Sequence, residues 1–337
     1  MDSAKKSDFF SNLHDSLLVF IISMLPFKDL VRTSVLSRRW RYLCRETTSL
    51  VFNESDFVNL SVFDREMVEP DRVFFVRVMR EWVSRFTGKV IENFEIHLSQ
   101  PMGFAGDIMS LTEFATSRQV KNLVLDFSDP VQRNLSQAQQ TIRDCLLRCR
   151  YPQKNDLDVS HLFFNLLYVR TLTVCSFFLQ VLQDCDDPMA LHDSMKTRHL
   201  VMKTNMHAND FVGISIFLNS CPELESLTFD LVTTSRFVRA RSPLVIDPVS
   251  HWLTSKAYEC LEKTLKVVKV KKFRGSSNEL HMLQYLIRTG CVMERVDLYE
   301  ANGLNHNQKR WVLAAVEEVQ QNFKRASRHL RITLHNA

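Results

Sequence analysis

The sequence predicts an α/β protein in two parts, a small N-terminal module of three short helices followed by a curved array of parallel strands with helices outside. Two observations carry that prediction. A short apolar pattern recurs along most of the chain, and the stretch before its first copy has helical periodicity with no strand. The 337 residues leave room for about two domains at roughly 150 residues each, or for one elongated array. With 45% apolar and 24% charged residues, the chain has the balance of one that folds.

Several classes of protein drop out early. The seven glycines are about a third of the usual ~7% share, and the closest pair, Gly103 and Gly106, stands in Gly-Phe-Ala-Gly. The glycine loops that cradle phosphates do not occur, nor does the Gly-x-Ser-x-Gly turn of serine hydrolases. The longest apolar run, Leu17 to Leu25, falls far short of the ~20 residues that span a bilayer. Lys5 and Lys6 precede it as in a secretory signal, but Asp8 and Asp15 intervene, and Pro26-Phe27-Lys28 stands where a small-residue cleavage site belongs. Eight cysteines without a Cys-x-x-Cys pair read as reduced, mostly buried thiols. Cys145 and Cys149 have no second pair at ligand spacing, and His192, His199 and His207 lack the spacing of a metal motif. No cofactor, metal or catalytic constellation is expected.

Taken in order, the first elements are helical patterns over Asp15 to Leu25, Lys28 to Leu36 and Arg38 to Leu43. Asp15 and Ser16 are candidate caps for the first, Pro26 limits its continuation, and Asp29 suits the dipole of the second helix's first turn. Leu17, Leu18, Ile21, Ile22 and Leu25, joined by Leu30, Val31, Val35, Leu36, Trp40 and Leu43, make a broad apolar stripe. A module of about 40 residues has too little interior to hide it all, so part of this surface is expected to meet another protein.

The repeated pattern is apolar-x-x-apolar-x-apolar. Its fourth and sixth positions are Leu50 and Phe52, Phe94 and Ile96, Leu123 and Leu125, Leu172 and Val174, Leu200 and Met202, Leu227 and Phe229, Val268 and Val270, Val296 and Leu298, and Leu330 and Ile332. Intervals at the fourth position are 44, 29, 49, 28, 27, 41, 28 and 34 residues, a recurring unit of about 28 with insertions, which is leucine-rich-repeat spacing. Between strands, helical periodicity marks Asp71 to Phe86, Asp210 to Ser220, Asn278 to Ile287 and Asn305 to Phe323, with Asn305 or Asn307 as a cap for the last. Each unit reads strand, turn, helix. Stacking the units buries each strand's edges and apolar face, and leaves an extended sheet surface for a protein partner.

Charge is uneven. Residues 256–337 hold 15 Lys and Arg against 8 Asp and Glu. Lys263, Lys266, Lys269, Lys271, Lys272 and Arg274 form the densest basic stretch, alternating with Leu265, Val267, Val268, Val270 and Phe273. That alternation is expected of a strand packed on one side. No aromatic stacking motif, zinc finger or long basic helix lies beside it to support nucleic-acid binding.

Residues 9–44, FFSNLHDSLLVFIISMLPFKDLVRTSVLSRRWRYLC, resemble an F-box of the plant form, through the Leu-Pro-x-Lys-Asp, Thr-Ser-Val-Leu-Ser and Arg-Trp-Arg-Tyr-Leu runs. Cys221-Pro-Glu-Leu-Glu resembles a strand of plant F-box leucine-rich-repeat proteins, and Cys260 to Ile332 their FBD region, through Leu265 to Gly275, Asn278-Glu-Leu and Met293-Glu-Arg-Val. On this resemblance residues 1–8 are a flexible N-terminus, 9–46 an F-box, 47–258 degenerate leucine-rich repeats and 259–337 an FBD region continuing the array.

The missing secretory signal and the unpaired cysteine spacing point to the cytosol or nucleus, and the short apolar run to no membrane span. The resemblance implies a non-catalytic substrate receptor of an SCF-type E3 ubiquitin ligase. Its F-box would dock on a Skp-type adaptor, and through it a cullin, while the repeats hold an unidentified target for ubiquitination. Adaptor contacts would come from Leu13, Leu17, Leu18, Ile21, Leu25, Pro26, Leu30, Val35 and Trp40. Target contacts would include Lys266, Lys269, Lys271 and Arg274, favouring acidic or phosphorylated groups if alternate strand positions face the partner. Two positions depart from the family pattern: His14 replaces a proline, removing a rigid φ, and Cys44 stands where tryptophan is frequent, removing an aromatic anchor. These departures motivate an alternative, a non-degradative interaction scaffold with a degenerate F-box.

Overall fold

The computed structural model describes residues 10–58, 65–99, 101, 103–128, 165–182, 194–232, 246–252 and 257–336. Cys145, Cys149 and His192, considered above, lie outside the described residues.

Three short helices come first: α1 (Asp15–Ile22), α2 (Phe27–Thr33) and α3 (Arg38–Cys44). The first two end earlier than their apolar patterns. Ser23 turns its hydroxyl back to the Val19 carbonyl at 2.7 Å and accepts the Thr48 N–H at 3.0 Å, and Leu25 precedes a proline, which disfavours helical backbone there. α2 closes where the Thr33 hydroxyl bonds the Asp29 carbonyl at 2.7 Å. The cap of α1 is His14, whose Nδ1 accepts the Ser16 N–H at 3.3 Å. Asp15 and Ser16 are inside the helix, and Asp15 pairs with Arg39 of α3 at 2.7 Å.

Among the described residues the remainder is built on one nine-stranded sheet, all parallel and in sequence order. Its strands are β1 (Ser49–Asn53), β2 (Asn93–His97), β3 (Asn122–Asp126), β4 (Thr171–Cys175), β5 (His199–Thr204), β6 (Ser226–Leu231), β7 (Val267–Phe273), β8 (Arg295–Glu300) and β9 (Arg331–His335). Parallel neighbours need a crossover between them, and the inter-strand segments supply it. The register aligns Leu50, Phe94, Leu123, Leu172, Leu200, Leu227, Val268 and Val296 in one buried row, and Phe52, Ile96, Leu125, Val174, Met202, Phe229, Val270 and Leu298 in a second. The first pattern position makes a third buried row, from Thr47 to Met293.

The ninth strand departs from expectation. Ile332 pairs with Val296 and Leu334 with Leu298, so the pattern falls two residues later than the Leu330 and Ile332 placement. Leu330, Ile332 and Leu334 alternate equally well in either register. The bond from the Arg331 N–H to the Glu294 carbonyl, 2.9 Å, selects the later one and leaves Leu330 buried just before the strand.

Helices between strands include Arg65–Ser84, Ala105–Thr116, Ser176–Leu182, Phe211–Ser220, Ser277–Thr289 and His306–Gln321. Ser276 caps the fifth of these, and Asn305 forms a capping box with Gln308 on the sixth, where the side chains satisfy backbone N–H groups on both sides. Asp210 precedes Phe211–Ser220 and is fully buried. It accepts from Thr204 at 2.5 Å, Gln180 at 2.7 Å and Ser176 at 2.8 Å, tying two helices to the end of β5. A single apolar core runs from Leu18 to Leu330. At the junction the Phe27 ring meets Phe52 at 4.7 Å and Trp82 at 5.3 Å, both edge-on, so the helical module is fused to the first strand and its helix.

Candidate functional site

The three helices divide their apolar residues between two faces. Leu18, Ile22, Phe27, Leu30, Leu43 and Cys44 point inward. Cys44 approaches the Leu30 carbonyl at 3.6 Å, and burial pushes its thiol up to about 11, so a larger aromatic at this position would compete for interior space. The opposite face leaves Leu17, Phe20, Ile21, Met24, Val35 and Leu36 exposed, Val35 at 72% and Met24 at 67%. Clustered apolar exposure of this kind, on a module whose other side is committed to the core, marks an interaction surface.

The nine residues expected to touch an adaptor do not all lie on that surface. Leu17, Ile21 and Val35 are exposed, as is Pro26; Leu13, Leu25 and Trp40 are half-buried; Leu18 and Leu30, at 0% and 1%, are interior. Phe20 and Met24 were not singled out from sequence, and Leu36, named in the apolar stripe, was not among the expected contacts; each adjoins a residue that was named. Pattern alone gives the periodicity of a stripe and does not say which edge of it packs inward.

A second candidate surface is the open face of the sheet, formed by residues alternating with the buried rows. Lys269 and Lys271 share it on β7. Lys266 lies at the strand's start and pairs with Glu294 at 3.4 Å, while Arg274 follows the strand, its N–H donating to Glu279 at 3.0 Å. A bulge between Val270 and Phe273, with Lys272 at φ 60°, diverts Lys272 to Asp230 at 2.6 Å. The structure therefore brings Lys269 and Lys271 together and separates Lys266 and Arg274 from them.

On the same face, sequence reading missed a charged network. Asp126 lies between His97 at 3.5 Å and Lys203 at 2.5 Å, and His97 also meets Glu95 at 2.9 Å. Burial alone would lower the His97 pKa, but hydrogen bonds to Asp126 and Glu95 outweigh it and raise the ring to about 9. Burial alone would raise Asp126; His97 and Lys203 outweigh it and hold the carboxyl below its ordinary range. Among the described cysteines, Cys44, Cys175, Cys221 and Cys260 are buried and Cys291 is exposed. No helix among the described residues is long and apolar enough to cross a membrane.

The fold and its surfaces define a class: a parallel strand-and-helix solenoid carrying a helical docking module at its N-terminal end. Residues 10–51 match the F-box domain family and residues 254–298 the FBD family. Over the whole length, a putative F-box/LRR-repeat protein of Arabidopsis thaliana is 32% identical, with 98% of both chains covered. A second from the same plant is 31% identical over 91% of this chain and 94% of its own, and a putative F-box protein is 31% identical over 100% of both. The chain belongs to the plant F-box/LRR-repeat family. At family level the F-box implies a substrate-adaptor role in SCF-type ubiquitin ligases through a Skp-type adaptor, and members are generally non-catalytic.

Proposed function

We propose that this chain is the substrate-recognition subunit of an SCF-type E3 ubiquitin ligase, acting in the cytoplasm or nucleus. The exposed surface of Leu17, Phe20, Ile21, Met24, Val35 and Leu36 docks on a Skp-type adaptor, which links it to a cullin. The open face of the repeat array holds the target, with Lys269 and Lys271 as cations it presents there, and Lys266 and Arg274 at the two ends of their strand. The domain plan is an F-box over 9–46, degenerate repeats over 47–258 and an FBD region over 259–337. One observation supports the reading: the module's apolar residues divide into an inward set fused to the array and an outward set left exposed among the described residues.

Leu18 and Leu30 support docking indirectly in this reading, by fixing the helices that present the exposed set. His14 holds the start of α1 through its cap, doing by hydrogen bond what a proline does by a fixed φ. The test is a binding titration of the purified chain against a Skp-type adaptor, beside a Leu17→Ala, Ile21→Ala, Val35→Ala variant. These side chains are exposed, so the variant should keep its helicity and melting temperature. With anchors worth about 2 kcal/mol each, affinity should fall by roughly a hundredfold or more. If the native chain does not bind, the scaffold alternative takes over.

A further inference from the structure

We propose that the open face at β8 and β9, around Arg295 and Arg331 and with the exposed Lys324 and Arg328 of the segment leading into β9, holds an extended acidic segment of the target protein. This deepens the target-binding reading and rests on it.

The strand-start pairing of a cation with a carboxylate found earlier in the array is not continued at β9 among the described residues. At the strand starts, Lys121 meets Glu92 at 2.7 Å, Arg198 meets Glu225 at 3.3 Å and Lys266 meets Glu294 at 3.4 Å. At β9 Leu330 takes the next place in that row. Residues 319–337 contain Lys324, Arg325, Arg328 and Arg331 and no Asp or Glu. Arg325 is committed to its own loop, donating to the carbonyls of Leu330 and Gln320. Lys324, Arg328 and Arg331 are exposed and, among the described residues, have no ion-pair partner.

Register sharpens the contrast. Arg331 stands directly opposite Arg295, a cross-strand like-charge pair, which is unfavourable unless something neutralises it. Arg295 turns its Nε to Asp297 at 2.9 Å, yet its side chain remains 52% exposed. Asp297 is itself buried and also contacts His335 Nε2 at 3.2 Å, with the His335 ring stacked on Tyr299 at 4.6 Å. Asp297 is thus engaged by its own partners, and Glu294, the exposed acid beside Arg295, by Lys266.

Charge complementarity selects the occupant. Neighbouring strands lie about 4.8 Å apart and an extended chain advances about 3.3 Å per residue, so a few residues with alternate carboxylates cross from β9 to β8 with one acid near each arginine. A nucleic-acid backbone needs a longer row of phosphate contacts, and acids interrupt the face beyond Arg295, with Asp297 opposite Lys269 and Asp230 paired with Lys272.

The test uses the full chain and a short fluorescent peptide of alternating Glu and Ser, with its Gln and Ser counterpart as control. The acidic peptide should bind, and the amide peptide should bind at least about tenfold more weakly, as expected of electrostatic recognition. An Arg328→Glu, Arg331→Glu variant should lose at least about tenfold, a milder Arg331→Gln variant part of that, and Lys121→Glu at the other end of the array none. Equal binding of the two peptides, no binding of the acidic one, or indifference to the double reversal overturns the proposal. So does tighter binding of a single-stranded oligonucleotide with a steep salt dependence. Adaptor affinity, measured on the same samples, separates the two readings: its absence in the native chain removes the ligase role and leaves the peptide result standing.

Discussion

His97 and Asp126 show how single side chains on an exposed sheet acquire a fixed charge state. The raised pKa of His97, about 9 against roughly 6.5 in an unfolded chain, means that its contribution to stability is complete below about pH 6.5. It is lost as pH rises through 9. The depressed pKa of Asp126 works at the other end, contributing above the ordinary carboxylate pKa near 4 and failing as acid protonates it. Melting temperature should therefore peak between roughly pH 4 and 6.5 and fall toward pH 9. A His97→Gln variant should lose the alkaline part of that slope; an unchanged slope would place its origin elsewhere. Neither residue belongs to the repeat pattern, and only the register of β2, β3 and β5 brings His97, Asp126 and Lys203 together.

At the level of elements, the crossover after β1 is clamped by a buried ion pair. Arg72 of the helix Arg65–Ser84 meets Glu54 at 2.6 Å, with side chains 6% and 2% exposed, and the second Glu54 oxygen accepts the Ser99 N–H just past β2 at 2.6 Å. One carboxylate thus fixes the end of β1, the end of β2 and the helix between them. Removing one partner of such a pair strands a buried charge, so Arg72→Ala should cost about 3–5 kcal/mol by chemical denaturation. Replacing both Glu54 and Arg72 with apolar residues of similar volume should cost less than the single change. The last strand is managed differently: outward carbonyls of β9 and the residue before it are met by side chains, Ile332 by Gln320 at 3.0 Å and Leu330 by Arg325 at 3.2 Å. Filling edge positions in this way discourages addition of a further strand.

Across the whole molecule, the docking module and the array behave as one body because their core is continuous. Phe27 is the hinge pin, buried at the tip of α2 between Phe52 of β1 and Trp82 of the following helix. Lys28 adds a bond to the Asp56 carbonyl at 2.8 Å. Truncating a buried phenylalanine costs about 3–5 kcal/mol, and here the loss falls on the junction. Calorimetry should show one cooperative transition for the native chain and an early, separate melting of the module for Phe27→Ala. A single transition in both would mean that the hydroxyl and backbone bonds around Ser23, Thr47 and Thr48 suffice. In the proposed receptor role such rigidity would set the distance and direction from adaptor to target.

The sequence by itself determined the array. Positions one, four and six of each unit face the interior, must be apolar or small and polar with an internal partner, and recur at readable intervals; eight of nine strands follow from that local rule in the observed register. The ninth did not, because Leu330, Ile332 and Leu334 satisfy the rule in two registers and a backbone bond to β8 decides between them. The three-helix module was legible as well, in its motif runs and excess of apolar residues. Tertiary structure alone decided which side of each helix is free. Leu17 and Leu18 are adjacent, equally apolar and equally part of the stripe, yet the first is exposed and the second is not, because β1 and its neighbouring helix pack from one side. The basic region changed in the same way. Six cations in twelve residues read as one patch, but pairing with Glu294 and Asp230 and a bulge at Lys272 disperse them. The register of β8 and β9 in turn sets Arg295 and Arg331, 36 residues apart in the chain, side by side.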